Sequence, residues 1–248
     1  MKILISPAKK MRVDSDSLPP LGKPAFLTDA KRILTTLQAM PPEQLKALWG
    51  CSESLAAMNV ERLRTADPDR ALTPAILAYE GIQYQYMAPQ VMESGQLEYI
   101  QAHLRILSGV YGVLRPFDAV IPYRLEMQAK LPMDGQKDLY GFWGGRLAAH
   151  LAAEDDCLLD LASKEYSRAV RPHLPDSVRW VECRFVTRKG DKLVEKATLC
   201  KMARGRMVRH LAEKGAQTPE DALDFTDLGF QYSAADSRPD TLVFIKED

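Results

Sequence analysis

The chain has 248 residues, 46% hydrophobic and 27% charged, with 33 basic residues balancing 33 acidic ones. That composition suits a globular protein with a sizeable core, and a net charge of zero leaves only charge distribution to argue for a nucleic-acid partner. No stretch reaches the roughly 20 apolar residues of a membrane helix, and Met1–Ser6 lacks the longer apolar region of a signal peptide.

Cys51, Cys157, Cys183 and Cys200 are widely spaced, as are His103, His150, His173 and His210, so neither a disulfide framework nor a local metal signature is present. The expectation is a soluble cytoplasmic protein, monomeric, off the membrane, without cofactor or structural metal.

Lys2–Ser6 reads as a short strand, and Pro7 after Ser6 is placed to open a helix. Asp14–Pro24, rich in Pro, Ser and Asp, reads as an exposed loop. Ile33, Leu34, Leu37 and Met40 recur at helical spacing over Thr28–Met40, and Pro41-Pro42 ends that helix. Short helices follow over about Glu43–Leu48 and Ser52–Leu63, joined by Trp49-Gly50-Cys51. Gly50–Ala56 resembles the turn of a helix-hairpin-helix, in which backbone N–H groups meet a phosphate. Ser52 stands in place of the usual second glycine, and Glu53 and Glu61 oppose phosphate, so an ordinary packed helix pair is the competing reading.

Ala75–Tyr79, Leu104–Ser108 and Cys157–Leu161 are apolar runs that read as buried strands. Between the last two, Leu139, Phe142, Trp143, Leu147 and Leu151 share a face of a helix over Asp138–Leu151. Val178–Thr187 and Lys192–Leu199 flank Arg188-Lys189-Gly190-Asp191 as a hairpin. A basic helix over Lys201–Lys214 and a strand at Leu242–Ile245 complete the chain. The alternation predicts one mixed α/β domain over residues 1–248 with a short-stranded mixed sheet.

Three predicted strands run into serine: Ser6, Ser108 and Ser163. Serine after a strand is a good helix N-cap, and helix N-termini attract anions. Lys9 and Lys164 follow two of these serines closely. If the strands are parallel neighbours, hydroxyls and lysines line one sheet edge, the usual ligand site of open α/β sheets; plain capping with solvated lysines is the alternative. In His103–Met127, Gly109, Gly112, Pro116 and Pro122 predict a fixed, packed loop. Arg115 and Arg124 on it either hold phosphates or bridge to Asp118 and Glu126.

Charge is uneven near the end. Residues 196–214 carry six basic residues against Glu213 alone, whereas residues 215–248 carry eight acidic residues against Arg238 and Lys246. On a helical wheel Cys200, Ala203, Met207, Val208 and Leu211 form an apolar arc, with Arg206 and Arg209 opposite. Arg204 falls inside that arc, where a guanidinium must snorkel, pair with a buried acid or line a polar cavity.

Ile5–Lys9, the His103–Met127 block, Asp138–Gly144, Leu161–Tyr166 and Ala203-Arg204-Gly205 occur in the order seen in the YaaA peroxide-stress proteins, which this sequence resembles over nearly its full length. The resemblance implies a bacterial cytoplasmic protein of the peroxide-stress response that limits unincorporated iron. It also implies an unusual mixed α/β fold with a helix-hairpin-helix-like element, here residues 43–63, and a basic cleft that binds DNA. The family's basic positions fall on Lys9, Arg115, Arg124, Lys164 and Arg204; a second lysine often seen just before its Ala-Arg-Gly is replaced here by Lys201-Met202.

The resulting expectation is sequence-nonspecific DNA binding through backbone phosphates, at Lys9, Arg115, Arg124, Lys164, Arg204, Ser6, Ser108 and Ser163. The alternative is an enzyme acting on a phosphorylated small molecule or nucleic acid, with Asp138, Asp160, Lys164 and Tyr166 as acid–base groups. No spacing matches a known catalytic constellation. Direct iron handling lacks a thiolate or imidazole pattern.

Overall fold

Short, mostly apolar segments make the spine of the sheet, because strands covered on both faces have little polar side to show. The computed structural model describes residues 1–190 and 192–247. β1 (Lys2–Ile5) and β2 (Lys10–Met11) precede helices α1 (Leu27–Gln38), α2 (Pro42–Trp49) and α3 (Glu53–Arg64). Then come β3 (Thr73–Pro74), α4 (Ala75–Ala78), β4 (Tyr79–Glu80), α5 (Ile82–Met87), α6 (Ser94–His103), β5 (Leu104–Ser108), β6 (Gly112–Leu114) and β7 (Ala119–Val120). The remainder is α7 (Leu139–Trp143), α8 (Arg146–Glu154), β8 (Cys157–Asp160), α9 (Lys164–Ser167), β9 (Arg179–Lys189), β10 (Lys192–Val194), α10 (Ala197–Lys214), β11 (Gln231–Tyr232) and β12 (Thr241–Glu247).

The main sheet runs β11-β12-β9-β8-β1-β5-β6, with β10 paired to β9. The five central strands are mutually parallel, and β11, β6 and β10 are antiparallel to their neighbours. This is a mixed α/β fold around a mainly parallel mixed sheet. β1 lies between β8 and β5, pairing Leu4 with Asp160 on one side and with Arg105 on the other. The three serine-ended strands are therefore parallel neighbours. Ile3, Leu4 and Ile5 have no accessible surface and join one hydrophobic cluster that reaches from Met1 to Phe244.

Several local expectations are corrected. Ser6 is followed by a loop into β2, not by a helix, so Pro7 opens nothing. Ser108 leads into the tight return to β6. Ala75–Ala78 forms a helical turn between two minimal strands; an apolar run this short is buried equally well either way. The helix over 138–151 is two helices, broken at Gly144-Gly145, and Asp138 caps the first by accepting the Gly141 N–H at 2.9 Å. Leu199 belongs to α10 rather than to the hairpin's second strand. The hairpin residue Asp191 lies outside the described residues.

α2 and α3 are joined through Gly50, whose φ of 53° reverses the chain, and Lys46 and Glu53 form an ion pair across the turn. That geometry is a helix pair with a tight connection; the finer helix-hairpin-helix assignment is not shown by it. The acidic C-terminal segment folds over the basic helix: Asp227 accepts from Arg206 (2.6 Å), while Asp224 meets His210 and Lys214, each at 2.9 Å. Among the described residues, no helix is long and apolar enough to cross a membrane.

Candidate functional site

The C-terminal edge of β1 and β8 opens into a cleft of about 530 Å³. Its walls are the loop Ser6–Lys10, the start of α5, the loop Tyr123–Glu126, the Ser163–Tyr166 segment, and α10 through Lys201 and Arg204. Ser6 and Ser163 meet at the floor. Ser6 Oγ accepts the Ser163 N–H at 2.8 Å and donates to Ser163 Oγ at 3.2 Å. The two hydroxyls thus bind adjacent strand ends together, and neither caps a helix by its side chain.

The wheel position of Arg204 has a structural cause. Gly205 lies so close to α5 that an added Cβ would sit 2.1 Å from the Gln83 carbonyl oxygen. Backbone contact of this kind draws α10 onto α5, and Arg204, the next residue back, lines the cleft. Its Nε is buried without a hydrogen-bond partner among the described residues. Arg124, on the loop Tyr123–Glu126, also has a buried Nε without a partner among the described residues, but it makes the expected bridge to Glu126, an ion pair at 3.7 Å. Gln83 completes the set. It is buried, it lines the same cleft, and its Nε2 has no partner. The residues that carry three of the five unpartnered buried donors among the described residues therefore line one cavity.

The remaining charges divide into paired and free. Lys9 meets Glu126 at 2.9 Å and Lys10 meets Glu80 at 3.0 Å. Lys201, exposed on the cleft, has no ion pair or hydrogen bond among the described residues. Glu165 accepts the Gln128 N–H, and its burial raises its carboxyl above the usual range, with the Glu126 charge adding to this. Tyr84 donates to the Ser6 carbonyl at 3.0 Å. Tyr123 shares hydrogen bonds with Tyr79 (2.8 Å) and Ser108 (2.7 Å), and burial pushes its phenol up to about 12, so it stays protonated.

A second cavity of about 270 Å³ lies beyond Arg204, which borders both. It holds Lys164, exposed and without an ion pair among the described residues, together with Arg168, Asp160 and Glu182. Asp160 accepts from the Ser167 hydroxyl (2.6 Å) and the Ala162 N–H (2.9 Å). Burial nevertheless raises its carboxyl to about 6, against the opposing effects of those bonds and of Arg204. On the other side, Lys9 and Glu126 also border a third cavity, lined by Trp49, Gly50 and Lys130.

Of the eight residues singled out in the sequence, Ser6, Lys9, Arg124, Ser163 and Arg204 share the first cleft, and Lys164 the adjoining cavity. Ser108 is fully enclosed, bonded to Tyr123 and to the Tyr111 N–H (2.9 Å), and lines neither of these two cavities. Arg115 is elsewhere. β6 runs back along β5, pairing Leu114 with Ile106, which carries Arg115 towards the opposite edge of the sheet. There it pairs with Glu154 at 3.4 Å, beside the Arg105–Glu154 pair at 2.6 Å, and its N–H donates to Asp118. Asp138 caps α7 rather than lining the cleft. Gln83 and Lys201 escaped the sequence reading as site residues: a glutamine in Gly81-Ile82-Gln83-Tyr84 carries no motif, and nothing in that short helix start marks it as buried.

A sequence profile of the family described as "Peroxide stress protein YaaA" matches residues 1–236. The chain is 50% identical over 246 residues to a UPF0246 protein of Lachnoclostridium phytofermentans, covering 99% of this chain and 96% of the relative. It is 47% identical over 246 residues to one of Desulfitobacterium hafniense (99% and 98% covered), and 48% identical over 248 residues to one of Pediococcus pentosaceus (100% and 99% covered).

Proposed function

The chain belongs to the family of peroxide stress proteins YaaA, and on that premise we propose that it acts in the peroxide-stress response by binding DNA through backbone phosphates at the cleft. The observation that carries this reading is that Gln83, Arg124 and Arg204, each with a buried nitrogen that has no acceptor among the described residues, all line one cavity. Buried donors left unpaired in a free protein are costly, and an acceptor-rich anion relieves that cost. Arginine is the side chain best shaped to do so with a phosphate. Lys201 and Lys164 add charge not committed to a carboxylate. The turn at Gly50 borders the third cavity, which adjoins the cleft through Lys9 and Glu126, so a bound strand has a path towards the helix pair.

The cleft volume favours a single nucleotide unit over a duplex seated whole, because about 300–1,000 Å³ is the range of small-ligand sites. Single-stranded or distorted DNA is therefore the expected preference. The same volume supports the second reading, an enzyme acting on a phosphorylated small molecule or nucleic acid, with Tyr166 lining the first cavity and Lys164 and Asp160 the second. Limitation of unincorporated iron is implied by the family likeness, and our reading assigns it to no residue.

The test is quantitative binding of duplex, single-stranded and bubble DNA across a salt series, with a phosphorylated sugar as competitor. Backbone binding gives a steep loss of affinity with salt. Equal binding at low and moderate salt would remove the DNA reading, and turnover or displacement by the small phosphate at low concentration would favour the enzyme.

A further inference from the structure

A phosphate explains two arginines, but it does not explain Gln83. Guanidinium groups match phosphate in charge and shape, whereas a carboxamide is neutral and offers a donor beside an acceptor. Gln83 is more than nine-tenths buried, at 7% exposure, and its amide nitrogen has no partner among the described residues. Its backbone is held at the cleft wall by the close approach of Gly205 of α10 to its carbonyl. The hydroxyls of its aromatic neighbours are already used: Tyr84 on the Ser6 carbonyl, and Tyr123 on Tyr79 and Ser108. Those rings present apolar surface, and Gln83 supplies the uncommitted neutral hydrogen-bonding group among them. A cavity of about 530 Å³ lined by tyrosines, by one carboxamide side chain and by two guanidinium side chains, each of these three with a buried nitrogen that has no partner among the described residues, matches a nucleotide, base and phosphate together.

We infer that the cleft contains a nucleobase subsite, in which Gln83 pairs with the edge of one unstacked base while Arg124 and Arg204 hold the adjacent phosphate. Adenine is the base that fits: its N6 amino group and N7 lie side by side as donor and acceptor, and a carboxamide pairs with both. The base enters from single-stranded or opened DNA, since it is inaccessible inside a duplex. This rests on the reading that the cleft takes a nucleic-acid phosphate, and it adds a base preference that backbone contacts alone do not give.

The experiment measures binding of labelled single-stranded pentamers of deoxyadenylate, deoxycytidylate and thymidylate, and of an abasic pentamer, by fluorescence anisotropy at fixed salt. The wild type is expected to bind the deoxyadenylate pentamer roughly tenfold or more tighter than the abasic one. Gln83→Met, close in volume and unable to pair, is expected to bring the two within about twofold while the salt slope is kept. Arg204→Ala is expected to weaken all four alike. Equal wild-type affinity for all four pentamers, with Arg204→Ala still weakening them, overturns the base subsite and leaves the phosphate reading standing. If no pentamer binds at low salt, both fall. Should Gln83→Met fail to fold by circular dichroism, the wild-type ranking and Gln83→Glu, which replaces the donor by a carboxylate and is expected to lose the adenine preference, decide the question.

Discussion

Gly205 and Gln83 touch backbone to backbone: no side chain, not even a methyl group, fits between α10 and the carbonyl of Gln83. That contact fixes two of the three unpartnered donors of the cleft relative to each other, since Gln83 is itself one and Arg204 precedes Gly205. Gly205→Ala must therefore push α10 away from α5. Overpacking of this kind costs about 1–3 kcal/mol and sometimes more, and a backbone obstacle leaves little room for relief. The expected outcome is a lower denaturant midpoint together with weakened DNA binding, although the substitution adds no charge and removes no ligand group. A variant with unchanged stability would show that the helices do not pack this closely.

Asp160 gives the protein a pH dependence of predictable sign. Its carboxyl is raised to about 6 in the folded chain by burial, against an ordinary value near 3.8. Between those values the folded state holds the proton more tightly than the unfolded state, so stability falls as pH rises through roughly 4 to 6 and stays reduced above. Asp160→Asn cannot ionise. Relative to wild type, it is expected to gain stability between pH 4 and pH 7 by on the order of 2 kcal/mol, whatever constant offset the altered bonds to Ser167 and Ala162 introduce. Asp118, also raised to about 6 by burial, contributes the same slope to both proteins and cancels in the difference. Parallel stability curves for the two proteins across this range would contradict the prediction.

The strands that build the site were readable because both faces of each are covered, which leaves mostly apolar runs such as those of Lys2–Ile5 and Leu104–Ser108. The wheel likewise located Arg204 on the inner face of its helix, because an 18-residue helix keeps its phase. Short elements resisted for the same physical reason in reverse. Ala75–Ala78 and the segment after Ser6 are too brief for a period to declare itself, and tertiary contacts choose their form. Arg115 and Arg124 are near in sequence yet face different edges, because the return of β6 along β5 lies between β5 and Arg115 and no local pattern encodes its direction. Gln83 became visible only once its missing partner could be seen.

Ser108 serves the core rather than the ligand edge, and its removal should report that. Its hydroxyl bonds the Tyr123 phenol and accepts the Tyr111 N–H in a site with no solvent access. Ser108→Ala leaves that N–H without an acceptor and weakens the Tyr79–Tyr123–Ser108 chain. A loss of about 1–3 kcal/mol in unfolding free energy is expected, with DNA affinity per folded molecule unchanged. Intact stability with weakened binding would move Ser108 into the ligand site.

Arg204 and Arg115 provide the sharpest contrast, because the family likeness treats them alike and the fold does not. Arg204 borders two cavities, and its Nε lacks an acceptor. Arg115 is half exposed near the other edge of the sheet and already shares Glu154 with Arg105. Hydrogen bonds to charged groups are worth about 1.5–3 kcal/mol each, so Arg204→Ala is expected to weaken DNA binding about tenfold to a hundredfold. Its effect on stability should be small, since no ion pair among the described residues is lost with it. Arg115→Ala is expected to change affinity by no more than about twofold, the scale of a distant surface charge screened by salt. Anisotropy titrations of both variants at one salt concentration decide the matter. Equal losses in the two would mean that the bound strand runs around the sheet to both edges, and that the cleft alone does not define the binding surface.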